Sequence, residues 1–193
     1  MIGPFITRIV GTKLINPDSQ KLKNSGPAIY VTNHTSALDI FISMAICPYG
    51  GCGVGKKEVV KIPFFGWAYW LSGHLVIDRG NREKAVASMN QLSKFVNDKK
   101  LSIWIWPEGT RSMDGKLIPF KKGFVHLALA TGLPIVPVVL HGAHKRWPAK
   151  TMQFYPGEVK VEVLDPIDTK DWNKDGIEEH VNQVKSVMSE ALG

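Results

Sequence analysis

The segment Asn33-His34-Thr35-Ser36-Ala37-Leu38-Asp39 sets an imidazole and a carboxylate five positions apart. A histidine side chain titrates close to neutral pH, so a neutral imidazole can take a proton from a hydroxyl when its other ring nitrogen is held by an acceptor. For His34 the nearest acceptor is Asp39. On a continuous helix, positions i and i+5 point roughly 140° apart. The two side chains therefore meet only if His34 lies in the turn before a helix and Asp39 in its first turn, with Ser36 as N-cap. The same residues have a plainer reading: Ser36 to Asp39 is the spacing of a capping box, which leaves His34 as a loop histidine.

A second polar block, Pro107-Glu108-Gly109-Thr110-Arg111-Ser112, carries the parts of a phosphate site. Gly109 permits close backbone approach, Thr110 and Ser112 supply hydroxyls, and the Arg111 guanidinium can grip two phosphate oxygens at once. The competing reading is a surface turn closed by a Glu108–Arg111 ion pair. Arg79 offers a second cation, although Asp78 beside it supplies a plain ion-pair partner.

These residues need elements to hold them. Ala28 to Thr32 (AIYVT), bounded by Gly26-Pro27 and Asn33-His34, predicts a buried strand ending at His34. Ile40, Phe41, Met44 and Ala45 continue a helical apolar face up to Pro48. Strands are expected near Gly51 to Gly55 and at Leu75 to Ile77, followed by an amphipathic helix from an Asn81 cap to about Asn97. Its inward face would hold Ala85, Val86, Met89, Leu92, Phe95 and Val96. Leu101 to Trp106 predicts a strand that delivers Glu108 to Ser112 into a loop. A helix over Gly123 to Thr131 stops at Gly132, and Pro134 to Leu140 reads as an apolar strand. Alternating Val159, Val161 and Val163 predict an edge or half-exposed strand, and the last helix, about Ile177 to Leu192, turns Ile177, Val181, Val184, Val187 and Met188 inward. Strands alternating with helices, two of them apolar throughout, predict an α/β fold: one domain over residues 1–193, a mixed, mostly parallel sheet flanked by helices, with its motif-bearing core at about 27–140. In such a sheet ligands gather at the carboxyl ends of the strands, where both polar blocks fall.

The chain has 193 residues, 44% hydrophobic and 21% charged, with a net charge of +7, which excludes a disordered or coiled-coil chain. The basic balance suits an anionic membrane surface, a nucleic acid or a phosphorylated substrate. Cys47 and Cys52 lack the spacing of a redox or zinc pair and are expected to be free, buried thiols. No metal is expected, since the His and acidic residues do not cluster at ligand spacings. MIGPFITRIV has no basic n-region or cleavage site, so a signal peptide is not expected and a cytoplasmic location is the default. The longest apolar stretch, Ile62 to Ile77, is shorter than the ~20 residues of a spanning helix and is broken by Pro63, Gly66, Gly73 and His74. Its aromatic crowd of Phe64, Phe65, Trp67, Tyr69 and Trp70 suits either a core or a membrane interface.

The two blocks together resemble those of the glycerolipid acyltransferases: Asn33 to Asp39 resembles their NHxSxxD signature, and Pro107 to Ser112 their PEGTRS block. Between them, Lys57-Glu58, Pro63-Phe64-Phe65-Gly66, Gly73 and Ile77-Asp78-Arg79 are similar to the second block, and Leu133 to Pro137 to the fourth. Four blocks in order over residues 33–137 are far more specific than any one of them. Within the family the likeness is to the bacterial 1-acylglycerol-3-phosphate acyltransferases. The resemblance implies that His34 is the general base and Asp39 its orienting partner. It implies that Gly109, Thr110 and Arg111, with Arg79 and more weakly Lys57, bind the acceptor's phosphate, while Glu108 orders the loop or contacts glycerol. It further implies lysophosphatidic acid as acceptor, acyl-CoA or acyl carrier protein as donor, and no cofactor, the thioester being already activated. Phe64, Phe65, Trp67 and Trp70 are candidate walls for an acyl chain. Thr35 stands where many relatives have Gln, and only about 26 residues precede the first expected strand. The latter favours peripheral docking at the cytoplasmic side of the membrane through basic and aromatic surface. Another lysolipid acceptor is the alternative within the family; a non-catalytic module binding anionic lipid or nucleic acid is the alternative outside it, and nucleic acid is not expected.

Overall fold

The computed structural model describes residues 2–15, 19–48, 50–56, 60–61, 66–67, 71, 74–77 and 82–193. In chain order these form α1 (Ile2–Ile9), β1 (Thr12–Ile15), α2 (Ser19–Asn24), β2 (Ile29–Thr32), α3 (Leu38–Ile46), β3 (Gly51–Lys56), β4 (Leu75–Ile77), α4 (Arg82–Lys99), β5 (Ser102–Ile105), α5 (Gly123–Thr131), β6 (Ile135–His141), α6 (Ala143–Arg146), β7 (Gly157–Val163) and α7 (Ile177–Leu192).

The strands make one sheet of seven in the order β1-β7-β6-β2-β5-β3-β4. All pairings are parallel except β6 with β7. The expected mixed, mostly parallel α/β sheet is therefore what forms. β2 lies at its centre, with Tyr30 opposite Trp104 of β5 on one side and Val136 of β6 on the other. All four β2 residues are buried, because both faces of the sheet are covered by helices. Ile29 and Val31 face a core shared with Leu92, Val96, Phe124, Val184 and Met188, from α4, α5 and α7. Tyr30 faces the opposite core, with Leu38 and Ile42 of α3 and Trp104, whose ring it stacks on at 5.2 Å. The helices that follow the neighbouring strands β2 and β5 thus leave to opposite faces. This divergence opens a crevice at the strands' carboxyl ends, the usual ligand site of such sheets.

Several expectations are corrected. Ile29–Thr32 is the second strand: β1 precedes it at the sheet's margin, paired with β7 across the register Thr12 to Gly157. That pairing also removes β7 from the edge, since it lies between β1 and β6. The other expected alternative, a half-exposed strand, is what forms: Val159, Val161 and Val163 are at most 5% exposed, while Glu158 and Lys160 on the opposite face are exposed. On α4, Leu92 and Val96 are buried, but Phe95 is 45% exposed; the side chains of Ala85, Val86 and Met89 and the Asn81 cap lie outside what is described. α1 is held by α3: Gly3 packs so closely on the α3 backbone that a Cβ would meet Phe41 O and Ala45 N. Phe5 and Ile9, one turn apart, remain exposed. Cys47 and Cys52 are free; Cys52 is buried as expected and Cys47 half-buried, and desolvation pushes their thiols up to about 12 for Cys47 and about 11 for Cys52.

Candidate active site

The end of β2 fixes the first half of the site. Asn33 is the first residue beyond the strand and is 1% exposed. Its side-chain amide behaves like one more backbone unit: Nδ2 donates to Leu140 O at 3.1 Å, and Oδ1 accepts from Leu140 N at 2.8 Å. The ladder to β6 is thereby extended by a side chain, and His34 leaves the sheet at a set angle.

Asp39, fully buried in the first turn of α3, takes three donors on one carboxylate oxygen. Oδ2 accepts from Thr35 N at 2.6 Å and Ser36 N at 2.8 Å, and lies 2.9 Å from His34 Nδ1. An ionised carboxylate only accepts, so Nδ1 carries the proton and Nε2 keeps its lone pair. Ser36 Oγ accepts from Leu38 N at 3.0 Å and donates to Trp147 O at 2.6 Å. Capping and imidazole orientation are thus not alternatives. The oxygen that ties down the amides ahead of α3 is the one that holds His34, and the turn folds back enough for residues five apart to meet. The His34 ring is 15% exposed and lies against Trp106, 5.3 Å between centroids.

The loop after β5 supplies the second half. The Glu108–Arg111 ion pair does not form. Glu108 is 1% exposed, and its carboxylate accepts His34 N at 2.7 Å and Ile118 N at 3.2 Å. Burial pushes this carboxyl up from its ordinary value, opposed by those two amide donors and by the nearby imidazole. Glu108 therefore orders the loop, one of the two roles expected of it. Gly109 turns the chain at φ +68°, a left-handed conformation that side chains rarely adopt. Thr110 and Arg111 beyond it are exposed, and Arg111 pairs with no carboxylate among the described residues. Ser112 N donates to His34 O at 2.8 Å, so both backbone groups of His34 are bound to this loop.

Of the expected site residues, His34, Asp39, Glu108, Gly109, Thr110 and Arg111 converge on the carboxyl ends of β2 and β5. Lys57 and Arg79 lie outside the described residues, as do Phe64, Phe65, Tyr69 and Trp70. Trp67 is 65% exposed, which removes it from the core. Sequence reasoning missed the parts played by Asn33, Ser112 and Trp147. Asn33 carried a usable signal, an amide placed directly after a fully buried strand. Trp147 is 111 positions from the Ser36 hydroxyl it receives, and no local pattern could have announced it.

The arrangement presents an imidazole nitrogen with its lone pair and, on the loop bonded to the same histidine's backbone, a glycine turn and an exposed guanidinium. It can remove a proton from a hydroxyl whose parent molecule carries an anion nearby.

Residues 15–141 match the family model described as Acyltransferase. The 1-acyl-sn-glycerol-3-phosphate acyltransferase of Limnanthes douglasii is 43% identical over 97% of this chain, and that of Escherichia coli 38% identical over 86%. The chain spans 66% of the length of the first and 67% of the second, about two thirds of each. A crystal structure of the 1-acyl-sn-glycerophosphate acyltransferase from Thermotoga maritima superimposes with a TM-score of 0.79, at 26% identity, covering 99% of this chain and 76% of that one. With the family model matching well over half of the chain and both motif blocks folded into one site, the chain belongs to the acyltransferase family.

Proposed function

We propose that this protein transfers a fatty acyl group from a thioester, acyl-CoA or acyl carrier protein, to the sn-2 hydroxyl of 1-acylglycerol-3-phosphate, giving phosphatidic acid. The observation that carries the reading is the Asp39–His34 pair clasped to the loop that carries Arg111. His34 Nε2 accepts the proton of the acceptor hydroxyl as its oxygen attacks the thioester carbonyl. The tetrahedral intermediate then collapses, the carbon–sulfur bond breaks, and the thiol leaves with a proton returned from His34. Asp39 stabilises the imidazolium that forms between these steps and keeps Nε2 turned to the substrate. Base catalysis of this kind contributes about 10²- to 10⁴-fold, so much of the acceleration comes from positioning. Arg111, with Gly109 and Thr110, grips the acceptor's phosphate, and Arg79 and Lys57 are further candidates for that anion. The thioester arrives activated, so the reaction needs no cofactor.

The printed names of the relatives support this acceptor, and a phosphate-bearing lysolipid gives the exposed Arg111 a partner. Among the described residues no helix is long and apolar enough to cross a membrane, and we place the protein peripherally on the cytoplasmic face, where its lipid acceptor resides.

The test is mass-spectrometric detection of phosphatidic acid from lysophosphatidic acid with each donor, comparing the protein with folded His34→Ala. Product from the former alone supports the reading and identifies the donor. Acylation only of lysolipids without a phosphate monoester overturns the acceptor assignment, and no acylation with either donor overturns the reaction.

A further inference from the structure

Residues 115–157 contain six Lys and Arg and no Asp or Glu, so this segment carries all but one of the chain's seven net positive charges. Lys116 and Lys121 lie in the loop after β5, and Lys145, Arg146 and Lys150 follow β6. Both strands run parallel to β2, so these cations share the sheet end that carries His34. Lys116, Lys121, Lys145 and Lys150 are exposed. Lys122 pairs with Glu178, and Arg146 turns back to donate to Pro156 O at 2.8 Å.

Among these cations stands a loop, residues 147–156, that displays apolar side chains to solvent. Met152 is 77% exposed, Tyr155 47% and Phe154 40%, with Met113 at 61% on the neighbouring loop. The loop's backbone is closed upon itself. Trp147 Nε1 donates to Thr151 O at 2.8 Å, Tyr155 N to Arg146 O at 2.8 Å, and Thr151 Oγ1 to Pro148 O at 3.0 Å. The Phe154 ring meets Trp147 edge-on at 4.5 Å. Outward apolar side chains flanked by exposed lysines, on a loop that pairs several of its own backbone groups internally, match the boundary between anionic headgroups and acyl chains. A purely electrostatic partner such as a nucleic acid gives Met152 and Phe154 nothing to bury in.

We propose that the 147–156 loop and the lysines around it are the surface by which the protein docks on an anionic lipid bilayer. The inference rests on the proposed function for the lipid nature of the acceptor, and it names the element that meets that lipid's membrane. The loop is joined to the catalytic turn by the Ser36 Oγ bond to Trp147 O at 2.6 Å, the Ser36–Pro148 bridge, and the stacking of Trp147 on Phe41. Docking therefore brings His34 to the level of the headgroups.

The experiment compares binding to phosphatidylcholine vesicles with and without phosphatidylglycerol, for the protein, Met152→Ser/Tyr155→Ser and Lys145→Gln/Lys150→Gln. Acylation of a short-chain, water-soluble lysophosphatidic acid is measured in parallel. The protein should prefer the anionic vesicles. Each double variant should bind them roughly tenfold or more weakly, with soluble-substrate turnover unchanged. Unchanged vesicle affinity in both variants overturns the proposal; so does a loss confined to a third variant measured beside them, Phe5→Ser/Ile9→Ser, which would put the contact on α1. Absence of soluble-substrate turnover in the parent protein counts against the proposed reaction, separately from the vesicle result.

Discussion

The amide of His34 donates to Glu108 Oε1 across 2.7 Å, so a carboxylate from one polar block sets the backbone of the other. Glu108 lies 74 positions away in the chain, yet it fixes where the imidazole starts from.

Replacing Glu108 by Gln therefore acts on stability first. One of the two amides, His34 N or Ile118 N, would face an NH₂ group and lose its acceptor, at a cost of about 1–3 kcal/mol. The pH dependence has a definite sign. Because burial raises the Glu108 carboxyl in the folded state, its contribution to stability is fully present below the ordinary carboxylate pKa and is lost as pH rises through the raised value. Urea unfolding over a pH series should show this loss in the parent protein just above the usual carboxylate range and a flatter profile in Glu108→Gln.

Asp39→Asn keeps the size of the side chain and removes its charge. The amide can no longer serve all three donors on one oxygen, so the imidazole loses its fixed tautomer and the α3 entry loosens. We expect kcat to fall about 10²- to 10⁴-fold with a measurable drop in Tm. In His34→Ala the fall in kcat should be similar and Tm nearly unchanged, since the bonds to Glu108 and Ser112 are made by its backbone. Steady-state kinetics beside thermal melts separates the two.

Arg111→Ala should raise KM for lysophosphatidic acid on the order of tenfold or more, and Arg111→Lys should restore only part of it, because a lysine cannot grip phosphate bidentately. KM for the acyl donor should be little changed. Equal effects on both substrates would remove Arg111 from the acceptor phosphate.

Away from the site, His74 Nδ1 accepts from Gly53 N at 2.9 Å and so is unprotonated at that nitrogen. Burial holds the ring below its ordinary pKa. The sign is opposite to that of Glu108: stability is present above the unfolded imidazole's pKa and is lost as pH falls toward the lowered one. Unfolding between mildly acidic and neutral pH should show this loss, and His74→Asn should diminish it.

Much of this was readable from the chain because β2, β5 and β6 are mostly apolar runs that only a doubly covered sheet can bury. The polar blocks that follow two of them, Asn33-His34 after β2 and Glu108 to Ser112 after β5, named the site. What stayed hidden is what distance along the chain conceals. β1, only four residues long, becomes a strand through pairing with β7 about 145 positions later, and that pairing in turn moves β7 inward. α1 contains Gly3 and Pro4 and has little helical character by composition; its packing on α3 makes it a helix. The Ser36–Asp39 spacing marked the turn ahead of α3, although the N-cap position is Ala37 rather than Ser36, and a sequence cannot show that one oxygen of Asp39 would serve both the turn's amides and the imidazole.

The placement of the His34 turn on the central strand has a consequence for how the protein fails. Asn33 is laced to β6, and His34 is clasped on both backbone groups by the loop leaving β5. No partial opening frees this histidine while the middle of the sheet survives, so the site belongs to the last cooperative unit to open. The Thr35 and Ser36 amides should exchange with solvent only through global unfolding, and on heating turnover should vanish together with the fold rather than ahead of it.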